Sequence, residues 1–563
     1  MRNWWTLTLS LLLVLSLTTI GPAAIAASPL SSSAAGNASG SPQSDGKDSL
    51  VRQQGFIGYA GDVLTYHYSA SRQGQNTLES TLTPSNVNSN SFGKLRFFSV
   101  DGKVDAQPLY VYRLPGVFNL QNVVFIVTEH GSAYAFDADS GAQNWKVSTL
   151  GSGESPSDNH GCSQISPEIG ITATPVIDRQ RGPNGAMYLV AMSKDSNGKY
   201  HQRLHALDIK TGAELFGGPM EIAATYPGTG DGSQNGQVIF APGQFAARAG
   251  LLSLGGNIYF AFTSHCDSRP YTGWVMGYNA ASLAQSSVID VTPNGNEGAI
   301  WMTGMGLAGD SQGSIYFLDG NGTFDTTLDG NGFPINGDYG NAFIKLSTSP
   351  KLAVADYFNM YNTVQESGQD IDLGSGGAIL LPDVMDNNGQ VHHLAVGAGK
   401  DTNIYVVNRD NMGKFNPNNN NAIYQELVGA LPGGVWSSPA YFNNTVYYGS
   451  VSSPLKAFSI SNAKLSTPPS SQTANSFPYP GTTPVVSANG NSNGIVWAVE
   501  NSNPAVLHAY DATNLANELY NSNQASGGRD QFGPGNKFIT PLVVNGKVFV
   551  GTQTGVAEFG LLQ

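Results

Sequence analysis

Arg203-Leu204-His205-Ala206-Leu207-Asp208-Ile209-Lys210-Thr211-Gly212 reads as a short strand of alternating character closed by a turn that runs from Asp to Gly. Related versions stand at 133–141, 276–283, 455–461 and 508–514, each preceded by a strand rich in β-branched or aromatic residues, such as 187–192 or 446–448. A unit that recurs in this way is the mark of a repeat array.

Working outward, the units are marked by a Pro or Gly placed before an apolar strand. The markers are Gln107-Pro108-Leu109, Thr174-Pro175-Val176, Ala249-Gly250-Leu251, the stretch from Trp301 to Leu307, Gly376-Gly377-Ala378, Ser438-Pro439-Ala440, Thr483-Pro484-Val485 and Thr540-Pro541-Leu542. They divide the chain into about eight units of roughly 45 to 75 residues, each with strands enough for a four-stranded blade. Radial closure hides the sheet edges that an open array would expose. The expected fold is therefore all-β, an eight-bladed β-propeller over 59–563. Seven blades is the alternative count, because units four and five are irregular. Residues 64–68 alternate like a strand that pairs with the last unit, 82–87 read as the turn into the first unit, and 462–480 as a Pro/Ser-rich excursion.

Composition agrees with this class. The chain has 563 residues, 68 of them Gly and 30 Pro, which suits an all-β protein with many turns. Only 12% of residues are charged and the net charge is −13, so no basic stripe for nucleic acid or an anionic membrane is visible. Arg2, an apolar run over 9–20 and Ala24-Ile25-Ala26 have the layout of a cleaved secretory signal, with an uncleaved anchor as the other reading. The expected organisation is a signal peptide over 1–26, a disordered Ser/Ala/Gly-rich leader over 27–58, and a propeller that is secreted or periplasmic with no membrane span after cleavage. Cys162 and Cys266 are the only cysteines, open to a disulfide or to two buried thiols.

A second set of residues carries a family resemblance. Glu297-Gly298-Ala299-Ile300-Trp301, Gly320-Asn321-Gly322, Asp370-Ile371-Asp372, Gly399-Lys400 and Gly433-Gly434-Val435-Trp436 follow one another in an order that resembles the quinoprotein alcohol dehydrogenases, eight-bladed propellers that hold pyrroloquinoline quinone (PQQ) and calcium. The resemblance spans roughly 60–563 and is more specific for fold than for activity.

What it implies is carried over one position at a time. Trp301 matches the tryptophan on which the quinone lies, Trp436 a further cofactor-pocket position, and Lys400 the cation beside the quinone oxygens. Asp370 matches the general base for a substrate hydroxyl, and Asn321 a calcium ligand. Asp267 falls where the calcium carboxylate, normally glutamate, belongs.

The chain departs from the family pattern at the quinone's roof. Cys162-Ser163 replaces a pair of adjacent cysteines, and the arginine that follows that pair is missing around 165–170. The register places Cys162 and Cys266 in neighbouring units facing the cofactor mouth, which implies a Cys162–Cys266 disulfide in place of the adjacent-cysteine roof.

Two functions follow from these residues. The first is a PQQ-dependent oxidoreductase acting on a small alcohol or sugar. The second is a non-catalytic propeller that binds a polysaccharide or a cell-envelope protein. For each site residue a structural reading stands beside the functional one: packing for the tryptophans, a left-handed turn for Asn321 between glycines, a solvated turn for Asp370 and Asp372 if they do not share one face of a strand, and an exposed Lys400 paired with Asp401.

Overall fold

Each unit marker is followed by the first strand of an antiparallel sheet. The chain is described by a computed structural model over residues 50–53, 56–59, 61–116 and 119–563. All of these fall in one compact unit, Gly46–Gln563. The expected signal peptide, 1–26, and most of the expected leader lie outside the described residues; the end of the leader stretch pairs as a hairpin, Leu50–Gln53 with Phe56–Tyr59, where disorder was expected.

Among the described residues, eight sheets contain four or more strands. Their first strands, apart from Phe245–Ala247, 155–158 and Gln75–Asn76, which add to sheets three, two and seven, are Leu109–Pro115, Val176–Asp178, Leu252–Leu254, Ala308–Gly309, Ala378–Leu380, Ala440–Phe442, Val485–Asn489 and Leu542–Val544. Sheets are numbered one to eight in that order. Strand Phe92–Ser99 pairs antiparallel with the last strand, Gly555–Leu561, and completes sheet eight. It does so from near the start of the chain, so the turn at 82–87 leads into the last sheet and not into the first.

The opening stretch is the third strand of sheet two, Tyr200–Asp208, and its turn is built as the sequence suggests. Asp208 Oδ1 accepts from the backbone N–H of Lys210 and of Thr211, both at 3.0 Å, and Gly212 takes the left-handed conformation at φ +74°. Asp137 and Asn279 cap the equivalent turns of sheets one and three in the same way. The strands themselves are less amphipathic than alternation predicts. Ala186–Lys194 is buried along nearly its whole length, because sheets pack against both of its faces.

Two expected elements are corrected. Residues 64–68 do not form a strand. Tyr66–Tyr68 is a single 3-10 turn with His67 and Tyr68 at positive φ, and the segment around it is a hub. Backbone atoms of Val63, Leu64, Ala70, Ser71, Gln73 and Gly74 bond Tyr110, Ile177, Gly309, Leu380, Tyr441 and Val486, while the Tyr68 hydroxyl bonds Val543. Arg72 supplies the remaining sheet by donating to the Leu251 carbonyl at 2.9 Å, beside the first strand of sheet three. One segment of twelve residues, from Val63 to Gly74, thus reaches all eight sheets. The excursion at 462–480 contains a strand, Ser471–Phe477, paired with Ser453–Ser461. Its apolar signal is weak because only Thr473 and Phe477 along it are buried.

Candidate functional site

In an antiparallel pair the start of the first strand and the end of the second lie at the same end of the sheet. Trp301, Trp436, Arg248, Asp372 and Phe538 precede first strands, whereas Asp267, Asn321 and Lys400 follow second strands. These loops therefore gather at one end of the sheets, where they enclose a cavity of about 250 Å³, a size for one small molecule. Trp301, Asn321, Asp370, Lys400, Trp436 and Asp267, the six residues singled out from the sequence, all line it.

The polar end is built around Lys400. Its ammonium lies 2.6 Å from Asp372 Oδ1 and also contacts Asp370 Oδ1, which in turn accepts from Asn321 Nδ2 at 2.7 Å. Asp372 is buried and fixed further by the backbone N–H of Ser375, which donates to Oδ2 at 3.0 Å. Asp370 is different. It follows the short helix Thr363–Gly368, takes φ +57° and keeps its carboxylate 68% exposed to the cavity mouth. The two acids are therefore not strand neighbours on one face: one is a buried anchor and the other an accessible carboxylate.

Burial pulls Lys400 down, but Asp372 and Asp370 outweigh it and hold the ammonium above its ordinary pKa. Burial raises the Asp372 carboxyl in spite of Lys400, and raises Asp267 in spite of the hydrogen bond it accepts from the Tyr271 hydroxyl at 2.9 Å. Lys400 is therefore paired with Asp370 and Asp372, and not with Asp401, which accepts from Tyr405.

Glycines set the close contacts around the indoles. A Cβ on Gly320 would come within 2.9 Å of Trp301 Cδ1, and one on Gly434, at φ +77°, would come within 3.0 Å of the Lys400 backbone and 3.1 Å of Trp436 Cζ3. Trp436, Tyr479 and Phe538 form a continuous aromatic wall with ring centroids 5.7 and 6.2 Å apart, and the Arg248 guanidinium lies 5.0 Å from the Phe538 centroid.

Cys162 and Cys266 are joined, with Sγ–Sγ 2.00 Å and Cα–Cα 5.7 Å. Gln164 and Asp267, within two residues of the two cysteines, line the cavity, so the bond ties together two parts of its wall. Beside it the rings of His160 and His265 stack at 4.0 Å.

Tyr479, Phe538, Gln164 and Arg248 were not legible as site residues from the sequence. Arg248 left a signal: a lone cation inside Phe245-Ala246-Ala247-Arg248-Ala249-Gly250-Leu251, where burial is expected. It occupies the break between Phe245–Ala247 and Leu252–Leu254, which pair with the same strand of sheet three.

Two solved structures are similar over most of the chain. One is a quinohemoprotein alcohol dehydrogenase from Comamonas testosteroni, the other quinohemoprotein alcohol dehydrogenase ADHIIG from Pseudomonas putida HK5. The likeness is one of fold. Each aligns with a TM-score of 0.59 at 13% identity over 89% of this chain and 80% of the other. No protein-family profile and no curated protein matches the chain.

Proposed function

We propose that the eight sheets are the blades of a closed propeller over 59–563 and that its cavity binds PQQ for the oxidation of a small alcohol or sugar outside the cytoplasm. The observation that carries this reading is the meeting of Trp301, Asn321, Asp370, Lys400, Trp436 and Asp267 in one cavity. Ring closure is supported by the strand Phe92–Ser99 in sheet eight and by the hub that reaches every sheet. Export is supported by the disulfide. Among the described residues no helix is long and apolar enough to cross a membrane.

The cavity suits a flat, polar-edged ring. Two tryptophans and an aromatic wall line it, and among the described residues the buried Asn321 Oδ1 and Arg248 Nε beside it have no hydrogen-bond partner. An ortho-quinone held there would supply the acceptor for the two electrons that an alcohol gives up. Lys400 would place positive charge beside the quinone oxygens. Asp370 would take the hydroxyl proton, its accessible carboxylate oriented by Asn321 Nδ2 and by Lys400. Asp372 would hold Lys400 in position without touching substrate.

Calcium fits less well. Among the described residues no three Asp, Glu, His or Cys side chains converge on one point, whereas the ion prefers six to eight oxygens. Asn321 Oδ1 and Asp267 alone do not make that set, so no step is assigned to a metal.

Incubation of the purified protein with PQQ, with and without calcium, tests the reading. Quinone absorbance should remain with the protein after gel filtration, and a dye should be reduced with at least one member of an alcohol and sugar panel. Failure of both would sink it and leave the rival reading, a propeller that binds a polysaccharide or an envelope protein.

A further inference from the structure

Arg248 is 4% exposed, and among the described residues no acceptor bonds its guanidinium. A buried, unpartnered cation is costly unless an anion reaches it. The acids behind it are engaged elsewhere. Asp105 bonds Lys103 Nζ at 3.0 Å and Asn536 Nδ2 at 2.7 Å, while Glu129 accepts from the N–H of Gly170 and the hydroxyl of Thr172 through Oε2. Burial, together with Asp105, keeps Glu129 protonated well above the usual carboxylate range. Lys537 adds a further cation, its ammonium donating to the Ser163 carbonyl at 3.2 Å. The nearby imidazole of His265 is held neutral, its pKa pulled down to about 4 chiefly by burial. Arg248 is thus the cation that this end of the cavity presents, while Lys103 and Lys537 line an adjoining pocket with Asp101 and Glu168.

The other end of the cavity has the opposite balance, with Asp370, Asp372 and Asp267 against Lys400. Tyr479 lies between the two ends, its ring packed between those of Trp436 and Phe538. The cavity is therefore polarised along the wall that runs from Phe538 to Trp436.

We propose that Arg248 binds a carboxylate of the cavity's ligand, so that the site takes a flat molecule with an anionic group at the Arg248 end and its reacting oxygens at the Lys400–Asp370 end. The planar fork of guanidinium N–H groups matches a carboxylate through two parallel hydrogen bonds, which an ammonium cannot reproduce. The missing arginine of the 165–170 stretch is thus met from a different sheet. This rests on the PQQ reading for the identity of the ligand, but not for the existence of the anion subsite.

The test titrates wild type, Arg248→Gln and Arg248→Lys with PQQ, with its trimethyl ester and with quinoline-2-carboxylate, following tryptophan fluorescence. Wild type should bind the acid at least about 30-fold more tightly than Arg248→Gln does, whereas the ester should bind both proteins equally weakly. Arg248→Lys should fall between them. Arg248→Gln without ligand should melt no lower than wild type, because it removes an unpaired buried charge. If that variant does not fold, the acid-to-ester ratio in Arg248→Lys decides: a ratio reduced from wild type supports the inference, and an unchanged one overturns it. Arg248-dependent binding of quinoline-2-carboxylate without PQQ binding would keep the anion subsite and remove the quinone reading. PQQ bound equally by wild type and Arg248→Gln would keep the quinone reading and overturn this inference. Absence of any Arg248-dependent carboxylate binding would overturn it as well.

Discussion

Lys400 Nζ stands 2.6 Å from Oδ1 of Asp372, a carboxylate whose side chain is 3% exposed. Removing one partner of such a pair leaves a buried charge with nothing to compensate it. Lys400→Met should lower the unfolding free energy by about 3 kcal/mol, and adding Asp372→Asn should restore more than half of the loss. Urea denaturation of the two single variants and the double variant measures the coupling. Simple additivity would show that the pair is not a unit.

The Cys162–Cys266 bond closes a loop with a sequence separation of 104 residues, where the chain-entropy account predicts a large effect. Cys162→Ser with Cys266→Ser should lose about 2–4 kcal/mol of stability, and reductant should destabilise wild type but not the double variant. A non-reducing digest in which both thiols are free would refute the bond. Because Gln164 and Asp267 sit next to the cysteines on the cavity wall, the double variant should also bind cavity ligands more weakly than its stability loss alone explains.

Legibility followed the physics of burial. All eight unit markers end at or next to the first residue of a strand, because a Pro or Gly before an apolar run terminates one loop and starts one buried edge. The fourth marker is longer than the others: it runs from Trp301, which lines the cavity, to Leu307, and its strand begins at Ala308. Residues 64–68 misled because Leu, Tyr and Tyr alternate with Thr and His as they would on a half-buried strand. All five are buried in the hub, so the polar positions satisfy hydrogen bonds there and do not face water. Arg248 was missed because sequence alone gives no sign that a single cation within an apolar strand edge will be left without a partner.

Asp290 supplies a pH dependence. It is 2% exposed in sheet three, accepts from the Thr272 hydroxyl at 2.5 Å, and burial pushes its pKa up to about 7. The folded value lies above the unfolded value of about 3.9, so the native state binds the proton more tightly. Its contribution to stability is therefore full below about pH 4 and is lost as the pH rises through 7. The unfolding free energy should fall across that window by about 4 kcal/mol, and Asp290→Asn should flatten the slope. Glu366, also raised to about 7 by burial, adds to the slope that remains.

Arg72 is the polar centre of the hub. It is fully buried and donates to the carbonyls of Leu307, Leu251 and Tyr66 and to the Thr65 hydroxyl, at 2.7 to 2.9 Å. Arg72→Met would leave those acceptors without donors, at about 1–3 kcal/mol each, and should yield little folded protein. Arg72→Lys keeps the charge but cannot span carbonyls on two sheets, so it too should lower the melting temperature by several degrees. A variant as stable as wild type would mean that the hub is passive filling between sheets that hold together without it.

Asp370 separates the functional roles of the two neighbouring acids. Its carboxylate is exposed to the cavity, held by Asn321 Nδ2 at 2.7 Å and by Lys400, whereas Asp372 is enclosed behind it. A base must reach a substrate hydroxyl, and only the accessible carboxylate can do so. Asp370→Asn preserves the shape and the contact with Asn321 while removing the proton acceptor. In PQQ-loaded protein it should lower dye reduction by about 10²- to 10⁴-fold and leave quinone binding within a few-fold of wild type. Asp372→Asn should show the reverse balance: weaker quinone binding and lower stability through a displaced Lys400, with a smaller effect on turnover of the protein that does load. If Asp370→Asn keeps wild-type turnover, the base lies elsewhere, and the accessible carboxylate serves only to orient Lys400.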